Sequence, residues 1–250
     1  MILKKMFSRG WLFTTLLVFA ATAVCARLGI WQLDRLDQRR AFNTQVETMR
    51  AAALLDLNKN LPADIASMEW RAVTITGEYD FENQVVLRNQ YNGDQYGYHL
   101  ITPLHFDPST GSGQAAVLVD RGWIPADGNS APEDWRKYDE ASPLNIKGQI
   151  RIGQAKPIIG GVADPELSPD QTRLDAWNNL NLDRIAKQIP YPILPVYVQP
   201  NTEDANSAPP IAFQPIVELT EGSHFGYALQ WFSFAAILFV GYPFYLRKQK

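Results

Sequence analysis

The chain is poor in the residues from which metal centres and disulfide frameworks are built. It contains one cysteine, Cys25, and three histidines. One cysteine cannot form an intrachain disulfide and cannot hold a zinc ion alone. His99 and His105 share a face of one predicted strand but lie about 20 Å apart along it, too far to bind one metal. We therefore expect no zinc site or disulfide framework.

The motifs of the common enzyme classes are also missing. The chain has no Gly-x-Ser-x-Gly, no His-Glu-x-x-His, no phosphate-binding loop and no dinucleotide fingerprint. Asp120-Arg121 has two interpretations, an acid–base pair or a salt bridge at the end of a strand, and the second is the commoner. We expect a protein that is not an enzyme.

Basic residues are scarce in the middle of the chain, and acidic residues are absent from its ends. Residues 51–223 carry 12 basic and 23 acidic side chains, a net charge of −11. An acidic body repels phosphate backbones, so we expect no nucleic-acid partner. The ends carry only basic side chains, which is typical of cytoplasmic segments beside a membrane span. These are Lys4, Lys5, Arg9, Arg247, Lys248 and Lys250.

Two long runs contain no charged residue. Residues 225–246 extend about 33 Å as a helix, enough to cross the hydrocarbon layer of about 30 Å. Residues 11–26 form a shorter run, which reaches Trp31 if Arg27 extends its head group to the membrane interface. The competing interpretation of this first run is a cleaved signal peptide, with a cleavage site around Ala21–Ala23. The sequence that follows the run favours a retained span.

This pattern predicts five regions and one orientation. Residues 1–10 form a cytoplasmic tail, 11–31 the first transmembrane helix, 32–222 a periplasmic domain, 223–246 the second transmembrane helix and 247–250 a second cytoplasmic tail. No long presequence rich in Arg and Ser precedes them, which favours a bacterial inner membrane over an organelle.

The external body shows the pattern of a β protein. Sixteen of the 17 prolines lie between positions 62 and 215, which opposes a helical body. After a helix over 28–55, strands are predicted at 71–79, 84–89, 96–106 (interrupted by Pro103), 115–123, 145–152 and 193–198. Loops are predicted at 107–114, 126–144 and 153–176, and Asn181 caps one short helix. The predicted fold class is an α+β membrane protein, with two transmembrane helices flanking a mostly antiparallel barrel or curled sheet.

His224 lies at the outer end of the second span. Tyr227, Ala228 and Trp231 follow it at three, four and seven residues, on the same helix face. One interpretation is an interfacial histidine beside an aromatic belt, which is routine at membrane borders. The other is a functional site, because imidazole is the commonest ligand of haem iron.

Arg27, Trp31 and Arg35 recur every four residues on the first helix and form one stripe. The simpler interpretation is a pair of interfacial arginines with a tryptophan anchor. The functional alternative is a basic shelf for carboxylates such as haem propionates.

Several short motifs follow one another along nearly the whole chain. They are Gly29–Arg35, Trp70-Arg71, Gly77–Tyr79, Gly97–His99, Thr102–Leu104, Val117–Pro125, and the set His224, Tyr227, Ala228, Trp231 and Phe232. In this order they resemble the surfeit locus family of cytochrome c oxidase assembly factors. There is one departure: the family usually has Asn-Arg where this chain has Asn89-Gln90.

The resemblance implies a bacterial inner-membrane chaperone that helps to build haem–copper cytochrome c oxidase. It implies that haem a is bound and inserted into the catalytic subunit of the oxidase, with His224 as the residue next to the haem iron. Haem a synthase and membrane lipid are further expected partners. The alternative is a membrane-anchored scaffold that assembles the oxidase by protein contacts and binds no haem. The expected cofactor site comprises His224, Tyr227, Trp231, Arg27, Trp31 and Arg35.

Overall fold

A computed structural model describes residues 2–108, 115–157, 160–168, 170–202 and 208–249. The chain forms two compact units. The first comprises residues 1–45 and 217–250, and the second comprises residues 46–216. Part of the predicted loop at 107–114, residues 109–114, lies outside the described residues, as do positions 158, 159 and 169 of the loop predicted over 153–176.

Five helices and eight strands make up the described structure. The helices are α1 (Ile2–Met6), α2 (Leu12–Ala51), α3 (Pro132–Trp135), α4 (Leu182–Ala186) and α5 (His224–Lys248). The strands are β1 (Leu55–Asp56), β2 (Ala72–Tyr79), β3 (Val85–Asn92), β4 (Gln95–Phe106), β5 (Ala115–Pro125), β6 (Leu144–Arg151), β7 (Ala176–Trp177) and β8 (Ile193–Pro200). Three short 3₁₀ turns lie at Ile65–Met68, Phe81–Asn83 and Arg136–Tyr138.

Two helices among the described residues are long and apolar enough to span a membrane, α2 and α5; the first unit contains α5 and most of α2, whose last six residues belong to the second unit. In the most apolar 18 residues of α2 and of α5, only 11% and 17% are buried. Neither helix therefore resembles the core helix of a soluble protein. At 1.5 Å per residue, the 40 residues of α2 extend about 60 Å, well beyond one bilayer core. The run over 11–31 and the helix predicted over 28–55 are therefore one continuous helix.

In the second unit, five strands close into a barrel in the order β2-β6-β8-β5-β4, and β4 returns to β2. The closing pair joins Glu78 to His105 and Tyr79 to Leu104. β3 extends the sheet from β4, and most neighbours are antiparallel; β1–β2, β5–β8 and β3–β7 are the parallel pairs. The predicted class, two apolar helices flanking a mostly antiparallel β domain that closes as a barrel, is confirmed.

The barrel interior is filled by alternating apolar residues from all five strands of the ring. Strand residues of one face pack together because side chains alternate between the two faces of a strand. Each fully buried aliphatic side chain contributes about 1.5–3 kcal/mol relative to an exposed one. The strand residues of this cluster are Val73, Ile75, Leu104, Phe106, Val117, Val119, Ile150, Val196 and Val198.

A second cluster covers part of the outer face with α4. Asn181 begins this helix as predicted, since its side chain accepts a hydrogen bond from the Arg184 backbone N–H at 3.1 Å. Ile185 is fully buried and packs with Ile101 and Leu118 of the sheet. The sequence of α4 thus explains both its start and its buried side.

Pro103 does not interrupt its strand, contrary to the prediction. β3 pairs with β4 as far as Ile101, and β2 takes over at Leu104. Pro103 lies at this change of partner, and its carbonyl accepts a hydrogen bond from the Asp80 backbone N–H at 2.9 Å. In an antiparallel strand the N and C=O of one residue face the same neighbour, so the missing N–H falls where strand pairing is interrupted.

The Asp120-Arg121 pair was also predicted wrongly, because a bulge separates the two side chains. Leu100 pairs with Gly122 whereas Ile101 pairs with Asp120, so Arg121 is the extra residue of β5. Asp120 contacts His99, and Arg121 forms an ion pair with Glu140 at 2.7 Å. The loop predicted over 126–144 contains α3 and one 3₁₀ turn, and the two-residue strands β1 and β7 were not predicted.

Candidate functional site at the start of the second apolar helix

Helices α2 and α5 pack closely within the first unit because small residues lie where they meet. A methyl group added to Gly29 would lie 2.7 Å from the Phe232 ring, so any side chain at this position would have to displace that ring. Ala228 and Ala235 follow on the buried face of α5, at the spacing of a helix interface. Small residues allow two backbones to approach in a membrane, where no hydrophobic force drives helices together.

His224, the first residue of α5, meets Gln32 of α2 at this interface. The His224 Nδ1 and the Gln32 Oε1 are 2.8 Å apart. An amide oxygen only accepts hydrogen bonds, so Nδ1 carries the proton and donates it. In a neutral imidazole, Nε2 then keeps its lone pair and can bind a metal. A histidine held through its other nitrogen is the usual arrangement of a metal ligand.

The segment before α5 is held against α2 by two arginines. Arg39 donates hydrogen bonds to the carbonyls of Thr220, at 2.9 Å, and Glu218. Arg40 binds both carboxylate oxygens of Glu221, at 2.8 and 3.0 Å, and this lowers the pKa of Glu221. These contacts fix the chain within three residues of His224.

Gly222 completes the turn beside the His224 ring. Its φ of +66° is in the left-handed region that favours glycine. Added to Gly222, a methyl group would lie 3.8 Å from His224 Nε2, so the glycine lies next to the free ring nitrogen. The approach to Nε2 is therefore bordered by the residue with the smallest side chain.

Of the other residues predicted on α5, Tyr227 is 48% exposed and Trp231 is partly buried. Trp231 packs edge-on against Phe234, with ring centroids 6.0 Å apart. Tyr227 and Trp231 both lie on the helix that begins at His224. The exposed Tyr227 ring lies one turn from His224.

The predicted stripe on α2 lies on an exposed side of that helix. The Arg35 guanidinium lies 5.9 Å from the centre of the Trp31 ring and donates a hydrogen bond to Gln38 at 2.9 Å. Arg27 lies 4.0 Å from Asp34 in an exposed ion pair, which contributes little to stability. No contact between this stripe and His224 is found in the described part of the chain. Arg27, Trp31 and Arg35 are thus accessible, but the structure joins His224 to Gln32 instead.

Sequence reasoning missed Gln32, Arg39, Arg40 and Glu221. Gln32 stands in the Gly29–Arg35 motif, three residues after the glycine that contacts Phe232. Helix periodicity puts positions three and four apart on one face, so the pair Gly29 and Gln32 was a usable signal. The bond between Arg40 and Glu221 spans 181 residues and left no local signal.

The barrel carries a separate buried polar group. His99 Nδ1 lies 3.0 Å from Asp120 Oδ2, and both side chains are almost fully buried. The other Asp120 oxygen accepts the Gly122 backbone N–H at 3.1 Å. Among the described residues no three His, Cys, Asp or Glu side chains are grouped to hold a metal. The His99–Asp120 pair thus joins two neighbouring strands next to the β5 bulge.

Comparison with known proteins agrees with the motifs. The model of the SURF1 family matches residues 19–236, which covers the barrel, most of α2 and about half of α5. A SURF1-like protein of Rickettsia conorii is 25% identical over 94% of this chain and 92% of its own length. Surfeit locus protein 1 of Arabidopsis thaliana is 21% identical (94% and 78%), and an uncharacterised SURF1-like protein of Mycobacterium bovis is 27% identical (94% and 83%). With the family model matching most of its length, the chain belongs to the SURF1 family.

Proposed function

We propose that this protein is an assembly factor for haem–copper cytochrome c oxidase that binds haem a and passes it to the catalytic subunit. The observation that carries the proposal is the His224–Gln32 contact of 2.8 Å, which leaves Nε2 available as an iron ligand. Membership of the SURF1 family supports the link to oxidase assembly.

The side chains predicted for the site have the chemistry that a haem requires. His224 would hold the iron, and Gln32 orients the ring that does so. Arg27 and Arg35 are exposed cations that can pair with propionates, and Arg35 keeps donors beyond the one bound to Gln38. Trp31 and Tyr227 are half exposed and offer aromatic surface.

Haem a performs its chemistry in the oxidase. In this protein the haem is cargo, which is bound and then passed on. This chain must bind it without burying it irreversibly. An exposed arginine pair and a single histidine at a helix start give contacts that can be released. We infer that the protein speeds the insertion of haem and takes no part in oxidase chemistry.

We also propose the orientation in a bacterial inner membrane, with both ends cytoplasmic and the barrel periplasmic. Six basic residues and no acidic one flank the cytoplasmic ends of the two apolar helices, as the positive-inside rule requires. A periplasm-specific reporter inserted at position 130 should be active, and one fused at position 250 should be inactive. Activity at 250 would overturn the two-span arrangement.

Haem binding is tested with the full-length protein purified in detergent from cells that make haem a and from cells that do not. The expected result is one haem per chain, with the spectrum of haem a only in the first preparation. Protein without haem from both strains, combined with co-purification of an oxidase subunit, would favour the scaffold function instead.

A further inference from the structure

A cavity of about 900 Å³ lies within the first unit, at the end that carries both chain termini. It is far along α2 from Gln32, and the function proposed for His224 does not use it. Its walls come from α1, the first turns of α2 and the last turns of α5. The apolar walls include Ile2, Met6, Val18, Phe19, Leu238 and Phe239.

Hydrogen bonds hold the walls in place. The Thr15 hydroxyl contacts the Tyr242 hydroxyl at 2.6 Å and donates to the Met6 carbonyl at 2.8 Å. Thr15 is fully buried, so this junction is shielded from solvent and links α1, α2 and α5. These contacts tie the three helices together beside the cavity, whose volume falls in the usual range of ligand sites, roughly 300–1,000 Å³.

Two cations line the same cavity. Lys5 and Arg247 are among its lining residues, and no acidic residue is. Lys5 Nζ donates one hydrogen bond to the Gln249 carbonyl at 2.5 Å, and an ammonium group has two more donors to offer. An apolar cavity whose lining includes two cations matches an anionic head group with acyl chains.

We propose that this cavity binds an anionic glycerophospholipid, with the phosphate group at Lys5 and Arg247 and an acyl chain along Val18 and Leu238. Lys4 and Lys248 are exposed neighbours that are absent from its lining.

The test is native mass spectrometry of the full-length protein in mild detergent, with phosphatidylglycerol and phosphatidylcholine added separately. The variant pair Lys5→Gln with Arg247→Gln is compared with Lys4→Gln with Lys248→Gln, which removes the same charge from the same tails. We expect one phosphatidylglycerol to be retained over phosphatidylcholine. The first pair should reduce that preference by about 30-fold, since each of the two basic groups contributes about 1 kcal/mol to anionic lipid binding, and the second should leave it unchanged.

A second variant tests the apolar part of the site. Val18→Trp should reduce the binding of both lipids because the larger ring would occupy the cavity. If the variant with Lys5→Gln and Arg247→Gln binds phosphatidylcholine as the unmodified protein does, its cavity is intact. Equal binding of the two lipids, equal effects of the two charge pairs, a lipid-free dimer, or haem at this site would each overturn the proposal. None of these outcomes depends on haem binding at His224.

Discussion

Gly122 is the described glycine of the barrel at which a positive φ and a close backbone contact coincide. Its φ is +116°, and an added methyl group would lie 2.2 Å from the Ile211 carbonyl oxygen. That carbonyl accepts the Trp123 backbone N–H at 2.8 Å, and the Ile211 N–H donates back to the Trp123 carbonyl at 2.9 Å. Gly122→Ala must therefore strain its own backbone and displace the segment that holds Ile211.

The two effects can be separated by a matched variant. Gly128 also has a positive φ, +69°, but an added methyl group would meet nothing within 4 Å. Backbone strain costs on the order of 1–3 kcal/mol, and forcing atoms into a packed site adds about 1–3 kcal/mol. We expect Gly122→Ala to cost about 4 kcal/mol and Gly128→Ala about 1 kcal/mol.

The assay is thermal unfolding of the full-length protein in detergent. For a unit of this size, 1 kcal/mol shifts the midpoint by roughly 2–4 °C, so Gly122→Ala should lower Tm by about 8–16 °C and Gly128→Ala by about 2–4 °C. Gly122→Glu, which also forces a charge into the fold, should lower the amount of protein in the membrane. Equal Tm shifts in the two alanine variants would refute the argument from the Ile211 contact.

Two further predictions concern the two units separately. Gly29→Val should separate α2 from α5, because even a methyl group at this position would lie 2.7 Å from the Phe232 ring. Gly226→Val is the control, since a methyl group there would meet nothing within 4 Å. Protease sensitivity of the membrane-inserted protein should rise in the first variant only. Burial acts to raise the pKa of Asp80, but hydrogen bonds from Tyr191, Asn83 and Glu82 lower it overall. A lowered pKa in the folded state stabilises the protein above the unfolded value of about 3.9, and the effect is lost as the pH falls. The Asp80 side chain also caps the 3₁₀ turn Phe81–Asn83 by accepting the Glu82 and Asn83 backbone N–H groups, so Asp80→Ala should cost about 1–2 kcal/mol at pH 7 by unfolding. The difference should be smaller below about pH 4, and a difference independent of pH would contradict this.

Much of the barrel could be predicted from the sequence because the signals are local. Alternation of apolar residues marked the main strands, and Asn-Gly at Asn92-Gly93 marked the β3–β4 turn. The bulge at Arg121 could not be predicted in this way. An extra residue in one strand is recognised only when the residues of the partner strand that pair on either side of it are known. The exchange of β3 for β2 as the neighbour of β4 at Pro103 also depends on strand pairing, so it could not be predicted from the sequence.

The candidate site was predictable in part. His224 was marked by its place at the end of an apolar run, and Arg27, Trp31 and Arg35 by their periodicity. The partner of His224 was not found, because the contact with Gln32 joins residues 192 positions apart. Packing between two helices depends on which faces meet. In the sequence, only small residues such as Gly29 indicate the face that contacts another helix.

The most direct test of the account is the haem a spectrum of purified His224→Ala, compared with Gln32→Leu and with His105→Gln as a control outside the site. All three variants should accumulate in the membrane at normal levels. We expect His224→Ala to lose or strongly shift the haem spectrum, Gln32→Leu to weaken haem binding about 10–100-fold, and His105→Gln to bind as the unmodified protein does. Cells with His224→Ala should make oxidase with less haem in its catalytic subunit. An unchanged spectrum and unchanged oxidase haem content in His224→Ala would contradict the assignment of His224 as the haem ligand.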